Sequence, residues 1–269
     1  MRGSAAFRVA VAPGGALAGP WVQNSLWTAA RAVPSLDLRF ADNKSLVDAT
    51  TGAQLVTFTR ASSGTFVGSD GLIKTAVTNL VLRSEEFGTT WTATRSSVTA
   101  NTITAPNGTL TADAIIEDTT VTNTHNIGQS ISFISGTTYT VSVFAKATTS
   151  PRFLQIIFPS VAFGATRRPV FDLINGTALA STDTTASIEN IGDGWYRCIT
   201  SMVATSTTST PIQLQLANTY TVGSGSSVYT GDGVSGLYLW GAQLEQSSTV
   251  GEYIPTTSTI NSAQQRVKA

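Results

Sequence analysis

The chain has 269 residues and a mass of 28.1 kDa, and its 41% of hydrophobic residues suffices for a sizeable core, so that disorder is not the default. Charged residues make up only 12%, while 43 Thr and 29 Ser supply more than a quarter of the sequence, so the surface is hydroxyl-rich rather than ionic. Sixteen basic residues cancel sixteen acidic ones, which leaves no overall field to draw the protein to nucleic acid or to anionic lipid.

Residues 1–35 differ from the rest, with Arg2, Arg8 and Arg31 standing without an acid among Ala, Gly and Pro, beside Trp21 and Trp27. Arg8 interrupts the apolar run that a signal peptide needs, and Pro13-Gly14-Gly15 break any helix there, which argues against a cleaved leader. Val22, Leu26, Ala29 and Val33 recur at helical spacing. The segment is therefore expected to be an extended or partly helical docking arm, holding a larger assembly through Trp21, Val22, Leu26, Trp27 and Arg31.

From Leu36 onward, β-branched and aromatic residues recur in short runs separated by turn residues. Residues 36–80 are expected to form a β-hairpin region, with two apolar runs around Ser69-Asp70-Gly71. Residues 81–257 carry the main domain and residues 258–269 a C-terminal tail. Between Thr138 and Lys146, Tyr139, Val141, Val143 and Ala145 alternate with Thr138, Thr140, Ser142 and Lys146, the pattern of a strand with one buried and one wet face. Phe144 breaks the pattern on the wet side, as an edge or interface contact would. Asn175-Gly176 is a two-residue hairpin signal, and Gly192-Asp193-Gly194 is a second reversal feeding a strand with Cys198 as a small core residue. Ile212, Leu214 and Leu216 alternate with the outward Gln213 and Gln215, and Leu237–Leu244 is apolar on both faces, as in a central or covered strand. Many short antiparallel strands without crossover helices give an all-β fold, an antiparallel β-sandwich of the jelly-roll type.

The runs "LDLRF" followed by "VTFTRASSGTFVGSDGLIKTA", then "NLVLRSEEFGTTWTATRSSVTANTITAPNGTLTADAIIED", "YTVSVFAKA", "ASIENIGDGWYRC" and "YTGDGVSGLYLWGAQLE" followed by "EYIPTT" resemble bacteriophage head-spike or tail-fibre proteins with a carbohydrate-binding-module-like domain. The resemblance spans residues 36–257. It implies a jelly roll that decorates a phage particle, and it brings no defined catalytic set.

With Cys198 and His125 each alone of their kind, neither a disulfide nor a Cys/His zinc site can form within the chain, and no cofactor is implied. His125 lies in the polar stretch "TNTHNIGQS" without a nucleophile elbow elsewhere, and reads as a surface or loop residue rather than a catalytic base. Asp113, Glu117 and Asp118 are read as solvated acids rather than calcium ligands, since no DxDxDG loop is present. No apolar run approaches the roughly 18 residues of a spanning helix, so no membrane insertion is expected.

Sugar binding needs an aromatic platform with amides, carboxylates or Arg nearby. Trp91, in an expected loop, with Gln213 and Gln215 and then Arg197, are the candidates; the alternatives are that Trp91 is core and that the Gln pair faces another subunit. Three functional classes follow in order. The first is a non-enzymatic virion structural protein, a capsid decoration or head-spike protein docked to capsid or tail proteins and self-associated as a homotrimer. The second is a receptor-binding tail fibre or adaptor gripping host surface carbohydrate. The third is a polysaccharide depolymerase, ranked last because Glu85-Glu86 and Glu117-Asp118 are adjacent in sequence and adjacent strand residues point to opposite faces.

Overall fold

The computed structural model describes residues 51–52, 65–67, 73–75, 77–221 and 227–262. The docking arm with Trp21, Val22, Leu26, Trp27 and Arg31, and the turn at Ser69-Asp70-Gly71, lie outside the described residues. One compact unit comprises residues 63–266 and holds every element described below; of the other, 1–62 with 267–269, only Thr51 and Gly52 are described.

The strands in chain order are β1 (Thr65–Val67), β2 (Ile73–Thr75), β3 (Thr78–Asn79), β4 (Thr92–Thr94), β5 (Ser96–Ile103), β6 (Ala112–Glu117), β7 (His125–Phe133) and β8 (Thr138–Ala147). They continue as β9 (Phe153–Ile157), β10 (Val170–Asp172), β11 (Thr177–Leu179), β12 (Ser187–Gly192), β13 (Trp195–Val203), β14 (Thr208–Ala217), β15 (Gly236–Glu245) and β16 (Asn261–Ser262). A single turn of helix, α1 (Ser160–Phe163), interrupts them between β9 and β10. Two six-stranded antiparallel sheets result, ordered β11-β10-β9-β14-β7-β4 and β12-β13-β8-β15-β6-β5. Successive strands from β6 to β9, and again from β13 to β15, change sheets, so that four strands ordered β10-β9-β14-β7 face four ordered β13-β8-β15-β6. That is the strand order of a jelly roll. The expected all-β sandwich is the fold. The short β1 and β2 pair antiparallel, as the apolar runs either side of Ser69-Asp70-Gly71 led one to expect, and β16 returns from the expected tail to pair with β3.

Alternation places the core. Ile127, Ile131 and Phe133 of β7, Leu154 and Ile156 of β9, and Ile212, Leu214 and Leu216 of β14 meet Tyr139, Val141 and Val143 of β8, Cys198 and Met202 of β13, and Leu237, Leu239 and Leu244 of β15 in one buried cluster. Cys198 is wholly buried, and burial pushes its thiol above the ordinary range, as suits a packing residue. The apolar strand β15 is central, between β8 and β6. A bulge between Trp240 and Gln243 shifts its parity, so that Leu237, Leu239, Ala242 and Leu244 all face the core although the last two are even-numbered. Gly241 sits in that bulge at φ +61°, and a Cβ there would lie 2.8 Å from Cδ2 of Phe144; any larger residue would collide with the ring.

The outer face of β8 corrects the expectation of a wet surface. Thr140 and Ser142 are buried because the chain folds back over them, with the Thr140 hydroxyl donating to Ser247 O at 2.7 Å and the Arg197 guanidinium donating to Ser142 Oγ at 3.1 Å. Phe144 packs in a second cluster with Trp195 and Trp240, and Tyr253 meets it edge-on at 5.7 Å. The strip that suggested a partner copy is thus covered by the chain itself, as is β15. The hairpin at Asn175-Gly176 also differs from expectation. Asp172 pairs with Thr177, leaving a four-residue loop, because the Asp172 carboxylate accepts from the amides of Ile174 and Asn175 at 2.8 and 3.0 Å while Leu173 turns into the core. The reversal expected at Gly192-Asp193-Gly194 is present between β12 and β13, with Gly192 paired to Trp195 and the turn made by Asp193 and Gly194, both at positive φ.

Candidate functional site

The outer face of the β4–β7–β14–β9 sheet carries a transverse row of polar side chains. Register sets Thr94 opposite Asn126, Asn126 opposite Gln215, and Gln215 opposite Gln155; Asn126, Gln215 and Gln155 are buried and alternate with residues that face the core. One step along, Gln213 lies beside Gly128, where a Cβ would stand only 3.1 Å from Gln213 Cγ. The Gln215 amide is anchored by donation to Gln155 Oε1 at 3.4 Å, and that oxygen also accepts from the Ser227 hydroxyl at 3.2 Å. The Gln213 amide makes no hydrogen bond among the described residues, so its donors and acceptor face an open groove of about 340 Å³.

Arg95 and Thr124 border that groove at the β4–β7 side, and the β9–β10 crossover supplies Pro159, Ser160, Thr166 and Arg168 at the other. The crossover is held by Phe163, buried in the core, and by mutual backbone hydrogen bonds between Phe158 and Arg167, both 3.0 Å. Consecutive residues there point to opposite sides. Arg167 reaches out to Asp183 at 2.8 Å, whereas Arg168 borders the groove, forms no ion pair among the described residues, and has its Nε enclosed without a hydrogen-bond partner. Burial pushes the Arg168 guanidinium below its ordinary pKa. Arg95 is steadied by donation from Nε to Thr124 O at 2.9 Å. No Asp, Glu or aromatic residue lines the groove.

The four candidates from sequence separate into three places. Gln213 and Gln215 share the groove. Trp91 is not a loop platform: it is 6% exposed, its ring 5.2 Å from that of Phe87 in the main core, and its indole N–H donates to Arg83 O at 3.4 Å. It presents no face to a sugar ring. Arg197 lies on the opposite sheet, its guanidinium 5.4 Å over Phe144 and donating to Gly251 O at 2.9 Å, and takes no part in the groove. Asn126, Arg95 and Arg168 were missed. The alternation that reveals Gln213 and Gln215 lies within one strand, whereas these three join them only through strand register and a crossover; the consecutive Arg167-Arg168 was the one local signal.

Two further expectations are corrected. His125 is neither surface nor loop but an inward residue of β7, fully buried, its Nδ1 2.7 Å from Arg95 O and 3.3 Å from Asp118 Oδ1, its ring 4.9 Å from Tyr229. Asp113 and Glu117 are buried, not solvated: Asp113 accepts the amides of Phe87 and Asn101 at 2.8 and 3.0 Å, and burial raises its pKa. Among the described residues no group of three or more His, Cys, Asp or Glu is placed to hold a metal ion. A second groove of about 390 Å³ lies on the other sheet over Trp195, Tyr238 and Lys146, but Trp195 is 2% exposed and its indole N–H is already bound to Thr104 O.

No family model matches the chain, and no curated protein matches it in sequence. Among solved structures it is similar to the enzymatically active domain of tailspike protein 4 of bacteriophage CBA120, at 18% identity over 62% of this chain and 21% of that one, with a TM-score of 0.35. It is similar also to the CBM22-1–GH10 modules of endo-1,4-beta-D-xylanase 10B of Clostridium thermocellum, solved with xylohexaose, at 13% identity over 66% and 29% and a TM-score of 0.33. A third is a protein of Bacteroides thetaiotaomicron described as sugar-binding, at 10% identity over 63% and 100% and a TM-score of 0.30. The chain thus spans less than a third of the first two.

Proposed function

We propose that the protein is a non-enzymatic component of a phage particle whose jelly roll binds carbohydrate in the groove over β4, β7, β14 and β9. The observation that carries the binding half is the free Gln213 amide beside the row of Thr94, Asn126 and Gln215, since amides and hydroxyls gathered in a concave site match the alternating donors and acceptors of a sugar. Binding without cleavage is supported by the lining itself, which offers no carboxylate pair at the roughly 5–10 Å separation that glycoside hydrolysis uses. The phage setting rests on the sequence resemblance over residues 36–257. Capsid decoration or head spike is the first reading; a receptor-binding tail fibre would use the same groove and differ in its position on the particle.

Incubation of the full chain with the host's surface polysaccharide should give retention with no chain shortening. Gln213→Ala should weaken binding about tenfold, the worth of one or two neutral hydrogen bonds. Measurable cleavage, or an affinity indifferent to Gln213→Ala, would overturn this reading.

The docking half concerns residues 1–35. Deleting residues 1–34 should leave a cooperative β-type unfolding transition, because the described core is built wholly from later residues, while incorporation into particles is lost. Retained incorporation would remove Trp21, Val22, Leu26, Trp27 and Arg31 from the docking role.

A further inference from the structure

The Arg168 guanidinium borders the groove, its Nε is sealed from solvent without a hydrogen bond, and no described acid pairs with it. Its neighbour Arg167 shows that the fold can supply a partner where one is needed, with Asp183 at 2.8 Å. Arg95, which also acts on the Asp118 carboxylate, adds a second cation to the lining, and no Asp or Glu lines the groove. In a chain whose charges sum to zero, this is a local excess of positive charge beside hydrogen-bonding amides. An arginine stays protonated at neutral pH, and a half-buried, unpaired guanidinium is costly until an anion meets it. Its planar fork suits a carboxylate or a phosphate bidentately.

Resting on the carbohydrate-binding reading above, we infer that the groove takes an acidic polysaccharide, with an anionic sugar unit, carboxylate- or phosphate-bearing, docked on Arg168 and its neutral hydroxyls met by Gln213, the half-buried amide above the buried Asn126 and Gln215. Arg95 strengthens the field without being the anchor, because its Nε is already committed to Thr124 O.

The test uses the full chain and matched probes: oligogalacturonate and oligosialate, the neutral methyl ester of each, and a glycerol-phosphate polymer. Acidic probes should bind at least about tenfold tighter than their neutral counterparts, the lower bound for a charge-assisted pair, and their affinity should fall as salt rises. Whether the carboxylates or the phosphate polymer binds tighter identifies the anion. Arg168→Gln should erase the preference while Arg168→Lys retains part of it. Neither change should lower the melting temperature, because the Arg168 Nε has no hydrogen-bond partner and no acid pairs with the guanidinium among the described residues. Equal binding of acidic and neutral members, or a preference that survives Arg168→Gln, overturns the acidic ligand and leaves the carbohydrate reading standing. Binding of no saccharide, host polysaccharide included, overturns both.

Discussion

Replacing Trp91 by alanine is expected to cost about 3–5 kcal/mol of folding stability, the range for truncating a buried Trp or Phe, and to leave carbohydrate affinity unchanged in the fraction that stays folded. A sugar platform would behave in the opposite way. Trp91 is 6% exposed and packs against Phe87 within the cluster that joins the two sheets. Truncation removes the ring's apolar area from that cluster and frees the Arg83 carbonyl that the indole N–H now meets. The segment from Phe87 to Trp91 leads into β4, so the cavity opens where the chain enters the groove-bearing sheet. Denaturant unfolding of Trp91→Ala and Trp91→Phe reads the effect, with phenylalanine recovering part of the loss. A loss below about 1 kcal/mol, which is the scale of a surface substitution, together with weakened glycan binding, would return Trp91 to the surface.

The second large effect is expected at Glu117. Its buried carboxylate accepts four hydrogen bonds, from Arg152 Nε at 2.8 Å and Nη2 at 2.6 Å, from the Tyr229 hydroxyl at 2.5 Å and from the Asp232 amide at 2.9 Å. Arg152 also reaches Asp232 at 3.1 Å and lies 5.3 Å over the Tyr229 ring. Hydrogen bonding to the Glu117 carboxylate raises the Arg152 pKa, and burial raises that of Tyr229. The cluster ties the end of β6 to the segment before β9 and to the loop that enters β15. Glu117→Ala leaves the guanidinium, the phenol and an amide without their acceptor, and breaking one side of a buried ion pair costs about 3–5 kcal/mol. Exchanging Glu117 and Arg152 together for apolar residues should cost less than the single change, since no charge is then stranded. Chemical denaturation of the single and double variants checks this; additive losses would show that the two act independently.

Much of this fold could be read from local pattern. The alternation of Ile212, Leu214 and Leu216 with Gln213 and Gln215 is a property of one strand, and it located both the core face and half of the groove. What escaped was everything fixed by distant parts of the chain. Thr140 and Ser142 follow the rule for a wet face and Phe144 breaks it, and all three are covered by distant parts of the chain, with Ser247 over Thr140, Arg197 over Ser142, and Trp195, Trp240 and Tyr253 around Phe144. His125 sits in a stretch as polar as any loop, yet it opens β7 and points inward because Ile127 two residues on must do the same. Trp91 is flanked by turn residues, and nothing local distinguishes a ring on a loop from a ring tucked beneath it. Asn126 enters the groove through its pairing with Gln215, a register that no single-strand pattern contains.

The groove's floor and its Arg168 border have different origins. The floor is strand, shared with the core through every second residue, so changing it disturbs packing. The border is the β9–β10 crossover, closed at its base by the paired backbones of Phe158 and Arg167. Lengthening a loop closed in this way costs only about 0.6 kcal/mol for each doubling. That tolerance is confined to the exposed Ser160 and Val161, because Ala162 and Phe163 inside the loop are buried in the core and Arg168 lies one residue beyond the closing pair. Changes of length should therefore be absorbed at Ser160 and Val161, while Arg168 is held in place by the start of β10 two residues on.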